Sequence, residues 1–132
     1  MWESKSYLTK CESLKQKGHE PNYEPGLHLG RGFADLGCEE FCLLTNNRLI
    51  SLFTGTISEL FDADRHFFFE IPTVSRLLEV LHVRGWNVLK IESENQRDWS
   101  MEMVHFEKGN KIVINARSIK DLLIDSLIFS FS

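Results

Sequence analysis

The clearest alternation of apolar and polar positions lies in residues 73–128, where it predicts a helix, three strands and a second helix. Apolar residues recur three and four positions apart near 73–84 and again near 118–128, which gives each helix one apolar face. Thr73 and Ser118 precede these stripes and are typical N-cap residues. Both helices are therefore predicted with defined starting points.

Between these helices, three short segments alternate apolar and polar residues in the manner of strands. They are 86–91, 99–106 and 111–115, and polar or glycine-containing turns separate them. Because strands joined by short turns pair antiparallel, the segments form a three-stranded meander over 86–115. At least one apolar face of such a sheet must be covered, and the helices next to it in sequence are the natural cover.

The first half of the chain has a weaker pattern. Apolar residues at three- and four-residue spacing predict a helix near 3–17, and Gly18 is a reasonable end for it. Prolines and glycines are frequent in residues 18–37, and this composition predicts a loop-rich stretch. A loop of this length is uncommon in a compact domain, so it is a place where function can lie.

Residues 41–53 are compatible with two structures. One is a pair of strands joined at Asn46 and Asn47, because asparagine tolerates the positive φ of a tight turn. The other is a helix from Cys38 to Leu44, which would compete with the first strand. The sequence leaves both alternatives open.

Two further segments complete the pattern. Thr56, with Glu59 three residues later, resembles a capping box and predicts a short helix through Phe61. The aromatic run in 66–71 is typical of a buried strand. Strands within 41–53 and 66–71 would extend the meander to five or more strands.

Length and composition bound the fold class. The chain has 132 residues, 42% of them hydrophobic, as expected for a single domain with an ordinary core. We therefore predict an α+β protein that forms one globular domain over 1–132, with a small antiparallel sheet and helices near 3–17, 73–84 and 118–128. Three cysteines without a disulfide spacing, and no apolar run approaching the roughly 18 residues of a membrane span, indicate a cytoplasmic protein without membrane association.

The order of elements in 73–128, with Trp86 and Trp99 in the first two strands, resembles that of the small α-β-β-β-α sandwich domains of phage and prophage proteins. The functions of those domains are themselves unknown. The resemblance concerns the pattern of elements in this part of the chain alone. It implies an α+β fold and a phage or mobile-element setting, but no particular activity.

Acidic residues are concentrated in the middle of the chain. The net charge is −4, but residues 35–70 contain two basic residues against seven acidic ones, a net charge of −5. No basic stripe would meet a phosphate backbone, so no nucleic-acid partner is expected. The acidic segment is typical of a solvated face, and it is also suited to steering a basic protein partner. The acidic residues predicted for this contact are Asp35, Glu39, Glu40, Glu59, Asp62 and Asp64.

Arg31 is the basic residue that we add to this predicted binding set. It lies between Gly30 and Gly32, where its guanidinium could meet a carboxylate or phosphate of a partner. The surrounding glycines match neither a dinucleotide-binding fingerprint nor a P-loop. A flexible surface loop is the alternative interpretation.

Asp62, Asp64 and His66 form the densest cluster of ionisable residues. Two carboxylates two positions apart can share Mg²⁺ or Mn²⁺, and the imidazole could be a third ligand. The same composition is common in solvated turns, where an aspartate serves as a cap.

No motif in the chain is a catalytic signature. We predict a non-catalytic binding or accessory protein with a protein partner and no cofactor, such as a phage or mobile-element accessory protein or an immunity-type protein that neutralises a toxin. The alternative is a metal-assisted enzyme or ligand-binding domain centred on Asp62, Asp64 and His66. The sequence leaves enzyme activity and oligomeric state open.

Overall fold

The computed structural model describes residues 5–33, 37–95 and 97–131, which divide into two compact units. Unit 1 is Met1–Ile71 and unit 2 is Pro72–Ser132. Each unit has its own antiparallel sheet and its own helices. The single globular domain expected over 1–132 remains a prediction.

Unit 1 is a five-stranded sheet with one α-helix. Its elements are α1 (Lys5–Gln16), β1 (His28–Phe33), β2 (Gly37–Leu43), β3 (Arg48–Ser51), β4 (Ile57–Glu59) and β5 (Phe68–Glu70), with short 3₁₀ helices at Thr45–Asn47 and Asp62–Phe67. All strands pair antiparallel, in the order β4-β3-β2-β1-β5. The helix predicted near 3–17 is therefore confirmed as α1 over its described residues.

The core of unit 1 follows from the register of the strands. Cross-strand partners such as Leu29 with Phe41 put apolar side chains on the same face of the sheet. The buried cluster on this side consists of Leu29, Phe41, Leu43, Leu49, Leu60 and Phe68, with Tyr23 and Leu27 packed against it. Helix α1 contacts β5 and β2, and it buries Tyr7, Leu8, Cys11 and Leu14.

The structure decides between the two alternatives for residues 41–53. Asn46 and Asn47 have φ values of 60° and 56°, and the chain reverses there between β2 and β3. Asparagine adopts this left-handed conformation more readily than most residues. The hairpin is confirmed, and the competing helix from Cys38 to Leu44 is wrong.

Two other expectations for unit 1 are corrected. His28–Phe33 forms β1 inside the stretch 18–37 that was predicted to be loop-rich. The segment predicted as a short helix from Thr56 to Phe61 instead contains β4. The backbone there pairs with β3, because Ser51 N–H donates to the Thr56 carbonyl and Leu60 N–H donates to the Asn47 carbonyl. Pairing with a neighbouring strand thus overrides a weak local helix signal.

Unit 2 has the predicted order of elements. It contains α2 (Val74–Val83), β6 (Trp86–Ser93), β7 (Trp99–His105), β8 (Lys111–Ala116) and α3 (Ile119–Ser130), and its sheet has the order β6-β7-β8. Thr73 Oγ1 accepts a hydrogen bond from Arg76 N, and Ser118 Oγ accepts one from Asp121 N. The meander and both helix caps are confirmed.

The α+β fold class is confirmed, with one change in how the strands are distributed. The strands predicted within 41–53 and 66–71 exist, but they belong to the sheet of unit 1 and do not extend the meander. In unit 2, Trp86, Met101 and Met103 are buried, and Trp99 is half-buried. The resemblance of 73–128 to phage domains remains a prediction.

Candidate functional site: an acidic and aromatic surface beside Arg31

The segment between β4 and β5 is held at both ends by buried apolar side chains. Leu60 and Phe68 both belong to the buried cluster of unit 1. Between them lies the 3₁₀ helix Asp62–Phe67, which begins with a hydrogen bond from Asp64 N to the Phe61 carbonyl. The positions of the residues between Leu60 and Phe68 are therefore fixed by the core at both ends of the segment.

The aromatic residues of this segment are exposed. Phe61 is 59% exposed and Phe67 is 56% exposed, although both are large apolar side chains. They stand at the two ends of the 3₁₀ helix that contains Asp62 and Asp64. Together with Glu59 on β4, these four residues form what we term the acidic-aromatic surface.

A pocket of about 240 Å³ lies next to this surface, and we term it the Arg31 pocket. Its lining is Arg31, Phe41, Leu49, Ser58, Glu59, Leu60, Asp64, Phe67 and Phe68. Aromatic and aliphatic side chains predominate, with one guanidinium and two carboxylates among them. A lining of this kind favours a ligand group that has both an apolar part and a charge.

Arg31 is held in place by two rings and a carboxylate. Its guanidinium carbon lies 5.1 Å from the ring centroid of Phe41 and 5.5 Å from that of Phe68. Arg31 Nη2 donates to Glu39 Oε1 at 3.4 Å. Ser51 Oγ in turn donates to Glu39 Oε2 at 2.7 Å, which fixes the orientation of this carboxylate. The guanidinium is therefore a positioned part of the pocket wall.

A second arginine, Arg65, belongs to the 3₁₀ helix and forms an ion pair with its first residue, Asp62. Arg65 Nε lies 3.3 Å from Asp62 Oδ1, and its guanidinium carbon lies 4.3 Å from the Tyr23 ring centroid. The side chain of Asp62 is 91% exposed, so this ion pair is screened by solvent and adds little stability. Burial raises the pKa of the Tyr23 hydroxyl, and the nearby Arg65 opposes this effect. The Tyr23 hydroxyl donates a hydrogen bond to the Arg65 carbonyl at 3.4 Å.

The structure brings some of the predicted binding residues together and separates others. Arg31, Glu59 and Asp64 line one pocket, and Asp62 lies on the adjoining helix. Glu39 contributes through its bond to Arg31.

Glu40 points into the protein and away from the acidic-aromatic surface. It is 1% exposed, and its Oε1 lies 2.8 Å from His28 Nε2. A second buried pair joins His19 Nε2 to Glu70 Oε1 at 2.8 Å. Asp35, the last predicted binding residue, lies outside the described residues.

His66 does not converge with the two aspartates on a common point. Its ring stacks on Phe67 at a centroid distance of 3.9 Å, and its carbonyl accepts a hydrogen bond from Lys15 Nζ. No group of three or more His, Cys, Asp or Glu side chains in residues 5–33, 37–95 and 97–131 is arranged to hold a metal ion. The metal site at Asp62, Asp64 and His66 stays a prediction without support from this geometry.

Sequence reasoning missed Phe61 and Phe67 as surface residues. Phe61 was assigned to the end of a helix and Phe67 to a buried aromatic run, since large apolar residues are usually buried. The available signal was their position on either side of a strongly polar segment, Asp62–His66. A polar segment with aromatic residues at both ends is a pattern that fits a binding surface.

Unit 2 contains a pocket that the sequence did not indicate. It has a volume of about 540 Å³ and lies at the ends of β6, β7 and β8. Its lining is Glu92, Glu94, Asp98, Trp99, Ser100, Asn115, Ala116 and Arg117. Glu92 lies at the end of β6, and Glu94 and Asp98 lie in the turn that follows it. The pairing of Trp99 with Ala116 adds Asn115, Ala116 and Arg117 to the lining, and a linear pattern does not show this pairing.

Comparison with known proteins provides no family for this chain. No protein-family model, curated protein or solved structure matches it. Within the part of the chain that the structure describes, no helix has the length and apolar character needed to cross a membrane.

Proposed function

We propose that this protein is a non-catalytic binding protein that contacts a basic protein partner through the acidic-aromatic surface. The observation that carries the proposal is the exposure of Phe61 and Phe67 at either end of a helix that contains Asp62 and Asp64. Exposed apolar patches rimmed by polar residues mark protein interaction sites, and aromatic residues are enriched in them.

The two kinds of side chain have separate roles in such a contact. Burial of Phe61 and Phe67 against a partner provides most of the affinity, because aromatic residues dominate the energetics of interfaces. Glu59, Asp62 and Asp64 attract a basic surface and raise the association rate. Since Leu60 and Phe68 anchor the segment in the core, little ordering is needed when the partner binds.

The proposed class includes accessory proteins of phages or mobile elements and immunity-type proteins that neutralise a basic toxin. The pattern resemblance of 73–128 to phage and prophage domains agrees with that setting. An immunity-type role requires a toxin partner whose activity is blocked by the contact. The accessory role and the immunity-type role are two specific proposals within the class of binding proteins.

The test is capture of the partner from native cells by the tagged protein at low and moderate salt. The wild-type protein is expected to retain a stoichiometric, basic partner at low salt and to release it as salt screens the acidic residues. The double variant Phe61→Ala/Phe67→Ala is expected to lose the partner at both salt concentrations. The double variant Asp62→Asn/Asp64→Asn is expected to bind more weakly and with less dependence on salt.

The matched control changes similar residues in unit 2. Val113 and Phe106 are both exposed there, so Val113→Ala/Phe106→Ala removes exposed apolar side chains that do not belong to the proposed surface. This variant is expected to capture the partner as the wild type does. Equal capture by the wild type and the Phe61→Ala/Phe67→Ala variant would reject the proposal.

The alternative function, a metal-assisted enzyme or ligand-binding domain at Asp62, Asp64 and His66, has its own test. A bound ion stabilises the folded state by mass action, so Mg²⁺ or Mn²⁺ would raise the melting temperature. The increase would disappear in Asp62→Asn/Asp64→Asn. An unchanged melting temperature at millimolar ion would remove this alternative.

A further inference from the structure

We infer that the outer edge of β4 binds an extended segment of the basic partner as an additional strand. This inference rests on the proposed function and states how the partner is held. Strand addition to an open sheet edge obtains affinity from main-chain hydrogen bonds and specificity from alternate side chains.

The hydrogen bonds of the β3–β4 ladder show which backbone groups are available. Ser51 N–H donates to the Thr56 carbonyl and Leu60 N–H donates to the Asn47 carbonyl, and Leu49 lies opposite Ser58 midway between these bonds. Residues of an antiparallel pair alternate between bonded and non-bonded positions. The N–H and C=O groups of Ile57 and Glu59 therefore point away from β3.

This edge is open in the described sheet. β4 is the first strand in the order β4-β3-β2-β1-β5, and among residues 5–33, 37–95 and 97–131 only β3 pairs with it. The ladder bonds extend from Thr56 to Leu60, so the extended backbone is longer than β4 itself. An open extended edge is a template for pairing with another chain.

The side chains of β4 offer different environments on the two faces of the edge. Ile57 and Glu59 lie on one face because they are two positions apart, and Ile57 is 56% exposed. Ser58 lies on the other face, and both Ser58 and Glu59 contribute to the lining of the Arg31 pocket. An added strand would therefore place one side chain beside Ile57 and Glu59 and the next beside the Arg31 pocket.

Charge identifies the occupant as a basic segment of another protein and argues against a second copy of this chain. Two copies joined along β4 would bring two sets of Glu59, Asp62 and Asp64 close together, which is unfavourable. The basic residue in register with β4 is Arg48 on β3, opposite Glu59. A strand with lysine or arginine at alternate positions would place its charges on one face, beside Glu59, and its remaining side chains on the other face, beside the Arg31 pocket.

The experiment measures binding of a short synthetic peptide of alternating lysine and valine, with residue-resolved hydrogen exchange as the readout. On saturation with peptide, the Ile57 and Glu59 amides are expected to exchange at least about tenfold more slowly, because they gain hydrogen-bond acceptors. The same peptide with every backbone nitrogen methylated retains its lysine charges but has no backbone N–H donors, and it is expected to bind at least about tenfold more weakly. A peptide of alternating glutamate and valine is expected not to bind.

A protein variant provides the matching test. Ile57→Pro removes an outward N–H and leaves the bonds to β3 in place, since proline is tolerated at such edge positions. It is expected to weaken peptide binding, while Val113→Ala, at an exposed position of unit 2, is expected to bind as the wild type does. A far-ultraviolet circular dichroism spectrum equal to that of the wild type confirms that Ile57→Pro is folded.

The outcomes separate this inference from the proposed function. If the methylated peptide binds as tightly as the parent, or if the Ile57 and Glu59 amides gain no protection, strand addition is rejected. Absence of binding by the lysine–valine peptide also rejects it. The proposed function fails independently, when the Phe61→Ala/Phe67→Ala variant captures the native partner as the wild type does.

Discussion

The ring of Phe69 occupies the space that a side chain at position 30 would need. Gly30 and Phe69 are paired across β1 and β5, and a Cβ built on Gly30 would lie 2.5 Å from Phe69 Cζ. Because Phe69 is buried, it has little room to move. We therefore expect Gly30→Ala to lower the free energy of unfolding by about 1–3 kcal/mol, the usual cost of overpacking, in urea denaturation followed by circular dichroism.

Gly32 is the control for this prediction. It lies two positions along the same strand, and a Cβ there would meet Glu12 Oε2 at an ordinary contact distance of 3.5 Å. Gly32→Ala is expected to change the free energy of unfolding by less than about 1 kcal/mol, since it also restricts the unfolded chain. Equal effects of the two substitutions would show that the Phe69 ring does not constrain position 30.

The Gly30–Phe69 contact explains why β1 was not predicted. In the sequence, Gly30 and Gly32 are typical of a loop. In the structure, the missing side chain at Gly30 makes room for a ring from a strand far away in sequence. A glycine required for close approach and a glycine required for a turn have the same local signal, so the sequence pattern does not distinguish them.

Elements defined by local signals were predicted best. The caps at Thr73 and Ser118 and the turn at Asn46–Asn47 depend on a few neighbouring residues, and all were confirmed. The strand order β4-β3-β2-β1-β5 was not predictable, because β1 pairs with β5 across the intervening chain. Non-local pairing of this kind leaves no periodic pattern in the sequence.

The acidic residues of the candidate site were predicted from the sequence, but its exposed aromatic residues were not. Asp62, Asp64 and Glu59 belong to an acidic segment that composition alone reveals. The placement of Arg31 beside Asp64 depends on the sheet, and the exposure of Phe67 depends on where the 3₁₀ helix ends. Both are properties of packing and could not be derived from residue types.

In unit 2, Gly85 combines an unusual backbone conformation with a close neighbour. Its φ is +93°, and a Cβ on it would lie 2.8 Å from His105 Nε2. Left-handed conformations cost other residues about 1–2 kcal/mol, and the contact with the imidazole adds to this. We expect Gly85→Ala to destabilise the protein by more than about 2 kcal/mol, measured as the loss of free energy of unfolding in urea.

Gly109 separates the two contributions. Its φ is +68°, but no atom would lie within 4 Å of a Cβ there, so Gly109→Ala reports the backbone cost alone. Truncation of the imidazole in Gly85→Ala/His105→Ala is expected to recover part of the difference between the two glycine variants. A double-mutant cycle without coupling between positions 85 and 105 would contradict the proposed contact.

The pair of His28 and Glu40 links a half-buried imidazole to a buried carboxylate. Removal of one partner from a buried hydrogen-bonding group costs about 1–3 kcal/mol, so His28→Ala is expected to destabilise the protein by that amount. Glu40→Gln retains a group that can hydrogen-bond to His28 and is expected to cost less. Thermal and urea denaturation measure both effects.

His66 is the control for the histidine substitution. It is exposed and stacks on Phe67, so His66→Ala is expected to change the free energy of unfolding by less than about 0.5 kcal/mol. If His28→Ala were equally mild, the 2.8 Å contact between His28 and Glu40 would contribute nothing measurable.

Cys38 provides a prediction that depends on pH. Burial raises the pKa of its thiol above the ordinary value of 9.0, and the carboxylates of Glu12 and Glu40 add to this while Lys5 opposes it. The thiolate is the reactive form, so alkylation of folded Cys38 by iodoacetamide should require a higher pH than alkylation of the unfolded chain. Peptide mass spectrometry of the Cys42→Ser variant separates Cys38 from Cys11, which is buried in the folded protein.

The sign of the associated stability change follows from the raised pKa. The folded state holds the Cys38 proton more tightly than the unfolded state, so this contribution to stability is fully present below pH 9.0 and is lost as the pH rises through the higher folded pKa. Cys38→Ala should therefore make the free energy of unfolding less dependent on pH above 9.0. Glu12→Gln removes one of the carboxylates and is expected to move the alkylation midpoint back toward its ordinary value. A midpoint at or below 9.0 in the folded Cys42→Ser protein would contradict the burial of this thiol beside two acids.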